Sequence, residues 1–548
     1  MSLARTHSIA LVGVEGHPVE IEADIENGLV GLMLVGLPDT ALREARDRIR
    51  SAIVNSRETW PNRRITVGLS PASLPKRGSS FDAGIAIAIL AADGVVPPAR
   101  ISDLMFLGEL GLDGRLRPVR GVLPAVAAAA AAGFRSVAVP AENAPEACLV
   151  PGMRVLATPS LGALLEWLRF PVPLPEAAGG HADGVRVFED GASPDPMRAG
   201  GSGSGSGTGS GSGSGGGRGL GGGSAPGRGR DLADVVGQPM ARRAAEICAA
   251  GGHHLLLLGP PGVGKTMLAE RLPTVLPRLE PDAALEVTAI HSIAGTLPPG
   301  CPLLTEPPFC APHHTSTRAA IVGGGSGALH PGAASLAHHG CLFLDEAPEF
   351  PRDVLDALRQ PLESGEVVLA RSGLTARFPA RFTLVLAANP CPCASTASTR
   401  AGCSCPPLVR RRYLARLSGP LLDRVDVKAE FLPVGRAELL SDRKFTEPSS
   451  VVAERVAAAR QRMAFRLRGT GWRLNAEIPG RELRRRYAPA PGALAPLERA
   501  MDLGEISARG VDRVIRLSWT VADLGGVARP TFTETSYALG LWLGVMRH

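Results

Sequence analysis

Gly259-Pro260-Pro261-Gly262-Val263-Gly264-Lys265-Thr266 lies between the apolar run Leu255–Leu258 and Met267-Leu-Ala-Glu-Arg-Leu272, which has the composition of a helix. Strand, glycine loop and helix in that order are the context that makes a G-x-x-x-x-G-K-[ST] match a phosphate-binding loop. Its glycines let the backbone wrap a phosphate chain, and the helix start offers unpaired N–H groups to an anion. Lys265 is expected to reach the β- and γ-phosphates, and Thr266 to give its hydroxyl to Mg²⁺. The pattern predicts a chain that binds and hydrolyses a nucleoside triphosphate, with ATP and Mg²⁺ as cofactors.

Downstream, Leu342-Phe-Leu-Asp345-Glu346 is an apolar strand ending in two acids. In a parallel sheet such a strand emerges beside the phosphate loop, with Asp345 in the Mg²⁺ shell and Glu346 polarising the attacking water. Thr383-Leu-Val-Leu-Ala-Ala-Asn389 is a further strand that closes on an amide, expected near the γ-phosphate; before Pro390, Asn389 also reads as a turn residue. Arg424, in Ser418-Gly-Pro-Leu-Leu-Asp-Arg424-Val-Asp426, stays charged and so suits stabilisation of phosphoryl transfer, often from a neighbouring subunit. Arg509, at a helix start in Ser507-Ala-Arg-Gly, is expected to touch the same nucleotide from its own chain. Taken singly, either arginine reads as a surface residue.

The chain has 548 residues, too many for one core, and 45% are hydrophobic. No apolar run is long enough to span a bilayer, and Ala125–Ala132 is helix-forming. The start of the chain lacks a basic stretch followed by a long apolar one, so the expectation is a cytoplasmic protein with no membrane partner. A net charge of +7 is compatible with a polyanionic partner and equally with a solvated basic surface. Aromatic residues, at 4%, argue against a broad base-stacking platform.

Glycine alternates with serine and one threonine over Gly200–Gly217, a composition that cannot bury enough apolar surface to order itself. It marks a linker over 173–230 that divides an α/β unit, 1–172, from a nucleotide core, 231–435, and a helical lid, 436–548. The first unit reads as a hairpin (Ser8–Val14, Pro18–Ala23), strands at Leu29–Val35, Arg64–Leu69, Met105–Leu110 and Ser136–Val139, and helices at Ala41–Asn55, Ala83–Ala91 and Leu161–Trp167. Beyond the linker the pattern gives a helix over Ala241–Ala250, strands at Cys341–Leu344 and Thr383–Ala387, and helices at Val451–Leu467, Ala493–Leu503, Ser507–Leu524 and Thr533–Val545. Glu366–Arg377 reads as a hairpin with Arg371 beside a Ser-Gly tip, where a charge is able to grip a phosphate without reading bases.

Cys391-Pro-Cys393 and Cys403-Ser-Cys405 concentrate four of nine cysteines around a short polar loop. Four thiolates suit a tetrahedral Zn²⁺ site; free thiols in a turn-rich loop are the alternative. Cys148, Cys248, Cys301, Cys310 and Cys341 read as buried small apolar residues, and His313 and His314 are isolated from the cysteine pairs.

Phosphate loop, Asp-Glu strand, Asn strand, Leu-Leu-Asp-Arg and Ser-x-Arg together resemble AAA+ ATPases of the magnesium-chelatase/MCM branch. Pro308-Phe-Cys-Ala-Pro-His313-His314-Thr-Ser, Gly323-Gly-Gly, Pro331-Gly, Leu336-Ala-His-His-Gly-Cys-Leu-Phe-Leu-Asp-Glu, Asn389-Pro-Cys-Pro-Cys and Arg412-Tyr-Leu-Ala-Arg-Leu-Ser-Gly-Pro-Leu-Leu-Asp-Arg narrow the resemblance to the YifB/ComM family. It covers nearly the whole chain except the linker. The resemblance implies a ring homo-oligomer, a hexamer, that remodels branched or single-stranded DNA during recombination in natural transformation. Leu74-Pro-Lys-Arg-Gly-Ser-Ser80-Phe-Asp82 and Gly108-Glu-Leu-Gly-Leu-Asp-Gly-Arg-Leu-Arg-Pro118-Val resemble segments of the Lon protease domain, a Ser/Lys fold. Ser80 falls near the nucleophile position, but the lysine position after Pro118 is Leu123, so a non-proteolytic relative is implied. A chelatase motor acting on a metal-insertion partner and an ATP-dependent protease are the competing readings.

Overall fold

The computed structural model describes residues 2–36, 39–74, 76, 78–170, 184–189, 229–325, 329–371, 374–393, 405–435 and 446–544. Two sheets organise the molecule. The first has eight strands in the order Arg186–Phe188, Arg154–Thr158, Ser136–Pro140, Leu104–Phe106, Ser2–Val12, Glu15–Glu26, Arg64–Ser70, Gly31–Val35. Its centre is the long antiparallel hairpin Ser2–Val12/Glu15–Glu26, in which Val19, Ile21, Ala23 and Ile25 alternate into the core. That period of two buries one face of the strand. Against it lies the helix Asp82–Ala92, buried at every position because its sequence, Ala-Gly-Ile-Ala-Ile-Ala-Ile-Leu-Ala-Ala after Asp82, is apolar all round.

Three departures from the sequence reading appear in this unit. The strand expected over Met105–Leu110 is split: Leu104–Phe106 joins the large sheet, and Glu109–Leu110 pairs with Leu116–Arg117. The break is at Gly108, whose φ of 157° few other residues adopt, and whose backbone bonds Ser80 O and Ala83 N. Arg154–Thr158 is a parallel strand that was not expected. Arg186–Phe188, inside the stretch read as linker, adds an antiparallel edge strand to it. Val185 and Val187 pack on one core and Phe188 on another, so the alternation in Val185-Arg-Val-Phe188 outweighs the surrounding polar composition. Gly200–Gly217 lies outside the described residues.

The second sheet is parallel throughout, in the order Phe309–Cys310, Cys341–Leu344, Thr383–Ala388, Leu255–Leu258, Val427–Glu430. The helix Pro239–Gly251 covers one face. The helices Ser449–Arg466, Ala495–Asp502, Ala508–Gly525 and Phe532–Leu543 pack into the same core: Val456, Met463, Ile515, Trp519 and Leu541 share it with Ala245, Cys248, Leu257 and Leu268. A buried polar cluster ties them further. His253 contacts Asp426 (3.1 Å) and Thr520 (2.8 Å), and Arg513 donates to Asp426 (2.6 Å). Burial alone would raise the Asp426 carboxyl, but His253 and Arg513 outweigh it and hold the group below the usual carboxylate range.

The two units touch extensively. Gly121 N donates to Ser292 Oγ (3.0 Å), Ser292 Oγ donates to Glu146, and Glu146 also accepts from Leu123 N (2.8 Å). Val12 forms a small core with Ala376 and Phe378 of the hairpin Glu366–Arg371/Leu374–Pro379. At Gly13 (φ 65°) a Cβ would lie 2.7 Å from Arg377 O, so glycine there permits the close approach of the two hairpins.

Candidate active site

In the parallel sheet, register aligns Leu258 with Ala388, and Leu344 with Leu386, so that the third strand ends two residues short of the other two. Gly259, Asp345 and Asn389 therefore emerge together at the carboxyl edge, where open α/β sheets place ligands. Gly259 is packed so tightly that a Cβ would meet Phe431 Cβ at 2.6 Å, and Gly262 (φ 80°) and Gly264 (φ 97°) take left-handed turns into the helix Lys265–Arg271. The cleft they border has a volume of about 340 Å³.

Lys265 is 7% exposed, and its ammonium donates to Gly259 O (2.7 Å), Pro260 O (2.8 Å) and Asn389 Oδ1 (3.0 Å). Burial lowers its pKa, and the charges of Asp345 and Glu346 pull it back up. Thr266 Oγ1 donates to Asp345 Oδ2 (2.7 Å), while Asp345 Oδ1 accepts from Glu346 N (2.9 Å). Glu346 holds a left-handed backbone, φ 50°, which is uncommon outside glycine and recurs where function requires it. The set Lys265, Thr266, Asp345, Glu346 and Asn389 is thus assembled in one cleft. Oxygens of Thr266 and Asp345 are the hard ligands that Mg²⁺ takes, so the donor set fits that ion.

His314 is the residue that sequence reasoning missed. Its Nδ1 lies 3.4 Å from Glu346 Oε2, and its ring sits 4.1 Å from that of His313. Adjacency to Glu346 is a tertiary fact; the sequence showed His314 only as part of the Pro308–Ser316 segment that carries the family resemblance. Arg424 and Arg509 come together but away from the cleft, whose lining includes neither. Arg424 pairs with Glu363 and Pro420 O; burial, then the charges of Arg513, Arg359 and Arg509, lower its pKa. Arg509, expected at its own chain's nucleotide, instead joins this basic cluster, because the helix it begins packs beside Arg424.

Cys391, Cys393 and Cys405 converge, with sulfur atoms all within 4.8 Å of one another; Cys403 lies outside the described residues. Ser79 and Ser80 line a different cavity, about 620 Å³, between the two units. Ser79 Oγ donates to Glu109. The Lys76 ammonium is turned onto Pro71 O and Leu74 O, and Leu123 lies in the core with its N–H on Glu146. Arg371 lines the same cavity and donates to Gly325 O. Among the described residues, no helix is long and apolar enough to cross a membrane.

The family described as magnesium chelatase, subunit ChlI, matches residues 231–439; subunit ChlI of Mg-chelatase matches 21–143, and the ChlI C-terminal family matches 446–541. An uncharacterized protein of Mycobacterium tuberculosis is 49% identical over 98% of this chain and 98% of its own. The competence protein ComM of Haemophilus influenzae is 39% identical over 98% of this chain and 97% of its own. The uncharacterized protein YifB of Escherichia coli is 38% identical, covering 96% of this chain and 94% of its own.

Proposed function

This chain belongs to the YifB/ComM family of magnesium-chelatase-like proteins, and from that premise we propose that it is an AAA+ ATPase acting as a ring motor on DNA. The observation that carries the ATPase half is the convergence of Lys265, Thr266, Asp345, Glu346 and Asn389 at the ends of three parallel strands. Lys265 exchanges its carbonyl partners Gly259 and Pro260 for β/γ-phosphate oxygens, and the backbone from Gly259 to Thr266 wraps the phosphates. Thr266 and Asp345 hold Mg²⁺, which supplies charge neutralisation on the phosphates. Glu346 orients the attacking water, and His314 keeps that carboxylate positioned between turnovers. Asn389 holds the ammonium of Lys265 and reads the γ-phosphate.

Arg424, lying with Arg509 outside its own chain's cleft, reaches the nucleotide of a neighbouring copy in a homo-oligomeric ring, a hexamer in this reading. The division into a Lon-like, non-proteolytic unit (1–172), a linker (173–230), an AAA+ core (231–435) and a helical lid (436–548) belongs to the same proposal, as does a cytoplasmic location. The relative's designation as a competence protein supports branched or single-stranded DNA as the substrate, remodelled or branch-migrated during recombination. A second reading, a motor subunit serving a metal-insertion partner, is favoured by the magnesium-chelatase family matches. Steady-state ATP turnover, alone and with duplex, forked and four-way DNA or a porphyrin-loaded partner, separates them. Stimulation by forked or four-way DNA is expected. Turnover that no DNA alters would overturn the DNA half and leave the ATPase standing.

A further inference from the structure

Two groups of metal-ligating side chains exist among the described residues: Glu286 with His338 and His339, and Cys391 with Cys393 and Cys405. The first resolves as a hydrogen-bonded clasp. His338 Nδ1 accepts from Arg381 N (2.9 Å), so the neutral ring carries its proton on Nε2, which donates to Glu286 Oε2 (3.0 Å). A protonated nitrogen has no lone pair to give a metal.

The second group shares the same spread of burial but offers only sulfur. Cys391 is 4% exposed, Cys393 is exposed and Cys405 is half-buried. The Cys391–Cys393 sulfur separation is 3.0 Å. A disulfide requires about 2.05 Å, whereas zinc with Zn–S near 2.3 Å spaces two tetrahedral ligands about 3.8 Å apart. A metal accounts for three sulfurs from two separate stretches of chain meeting within 4.8 Å of one another. Cys310 and Cys341 show the contrast: burial pushes their thiols up to about 12, which keeps them neutral, although Cys310, like Cys148 and Cys301, is half-buried and not, as the sequence suggested, in the core.

We propose that Cys391, Cys393 and Cys405 ligate a zinc ion that braces the nucleotide cleft. The choice of zinc follows from sulfur ligands, which disfavour the hard cations. The bracing follows from the path of the chain, and it rests on the ATPase reading above. Cys391 is two residues beyond Asn389, the partner of Lys265. Cys405 precedes the helix Pro407–Leu414, and Arg410 Nε on that helix donates to Cys405 O (3.2 Å). Just past the helix, Arg416 pairs with Glu349 (2.8 Å) and Pro348 O (3.3 Å), in the turn that follows Glu346. One ion thus closes a circuit whose two ends are Asn389 and the Glu346 turn.

The test is metal analysis by mass spectrometry on full-length protein purified without a metal-affinity tag, run beside ATP turnover and circular dichroism. About one zinc per chain is expected. Cys393→Ser and Cys405→Ser should each lower it to under about a tenth while the fold persists, because each loses one strong ligand; Cys248→Ser should keep it. In the native protein, alkylation of Cys391, Cys393 and Cys405 should be slow until a chelator is added, and cobalt substitution should give a near-ultraviolet thiolate-to-metal band. Folded, ATP-hydrolysing protein that lacks zinc and alkylates at all three positions without a chelator would overturn the metal site alone. Zinc present in a chain that never hydrolyses ATP would overturn the bracing role and the ATPase reading together, leaving the metal site.

Discussion

Lys265 and Lys76 invite comparison. Each sits in a glycine-containing loop leading into a helix, each is nearly inaccessible (7% and 1%), and each turns its ammonium onto backbone carbonyls of its own loop. Burial lowers the pKa of both. The difference lies in what other segments deliver. Asn389 from one strand end bonds Lys265, and Asp345 and Glu346 from another bias it electrostatically. Around Lys76, among the described residues, its partners are the loop carbonyls of Pro71 and Leu74, and the neighbouring serine, Ser79, is spent on Glu109. What sets Lys265 apart is that strands from elsewhere in the chain end beside it.

The comparison breaks most easily at the cleft. Lys265→Ala should abolish nucleotide binding, whereas Glu346→Gln should keep ATP bound and lower turnover by about 10⁴-fold, the upper range for losing a water-orienting group. Equilibrium binding and steady-state turnover decide this; normal turnover in Glu346→Gln defeats the assignment. Next in size, Arg424→Ala should bind ATP and hydrolyse it about 10³-fold more slowly. Mixing it with Glu346→Gln subunits should restore part of the activity, and no recovery at any ratio would make Arg424 structural.

Lys76→Met sharpens the contrast from the other side. It should leave ATP turnover within about twofold while costing the N-terminal unit about 1–3 kcal/mol, since Pro71 O and Leu74 O lose their donor. Urea denaturation measures the second effect; a collapse of turnover without loss of fold would join the two lysines in one function. The smallest effect concerns Asp82, on the helix after Lys76. Burial raises its carboxyl to about 6 despite the Arg48 hydrogen bond (2.8 Å). A folded-state pKa above the ordinary 3.8 means its contribution to stability is full below that value and lost as pH climbs through about 6. Asp82→Asn cannot titrate, so the stability difference from wild type should drift between those two values and level off above. Parallel curves across that window would contradict the burial argument.

Much of the cleft was legible because its residues sit at fixed offsets from apolar runs: Lys265 after Leu255–Leu258, Asp345 after Cys341–Leu344, Asn389 after Thr383–Ala388. Each pair needs only strand-then-loop, a local pattern. His314 was illegible because its meaning depends on Glu346, thirty-two positions away. The same reason hid Arg154–Thr158 and Arg186–Phe188, short strands that exist because a partner edge is waiting. Periodicity found the C-terminal helices, yet gave no sign that Met463 and Trp519 share a core with the sheet that carries the phosphate loop.

The seam of Gly121, Glu146 and Ser292, with the Val12–Ala376–Phe378 cluster, joins the two units independently of the covalent chain between residues 189 and 229. The peptide route is then a redundant tether. A molecule cleaved there by a site-specific protease should still migrate as one particle in gel filtration, and its halves, expressed from separate messages, should reassemble. A fluorescent reporter or tag spliced into the chain between residues 189 and 229 should then leave the contacts of Gly121, Glu146 and Ser292 formed.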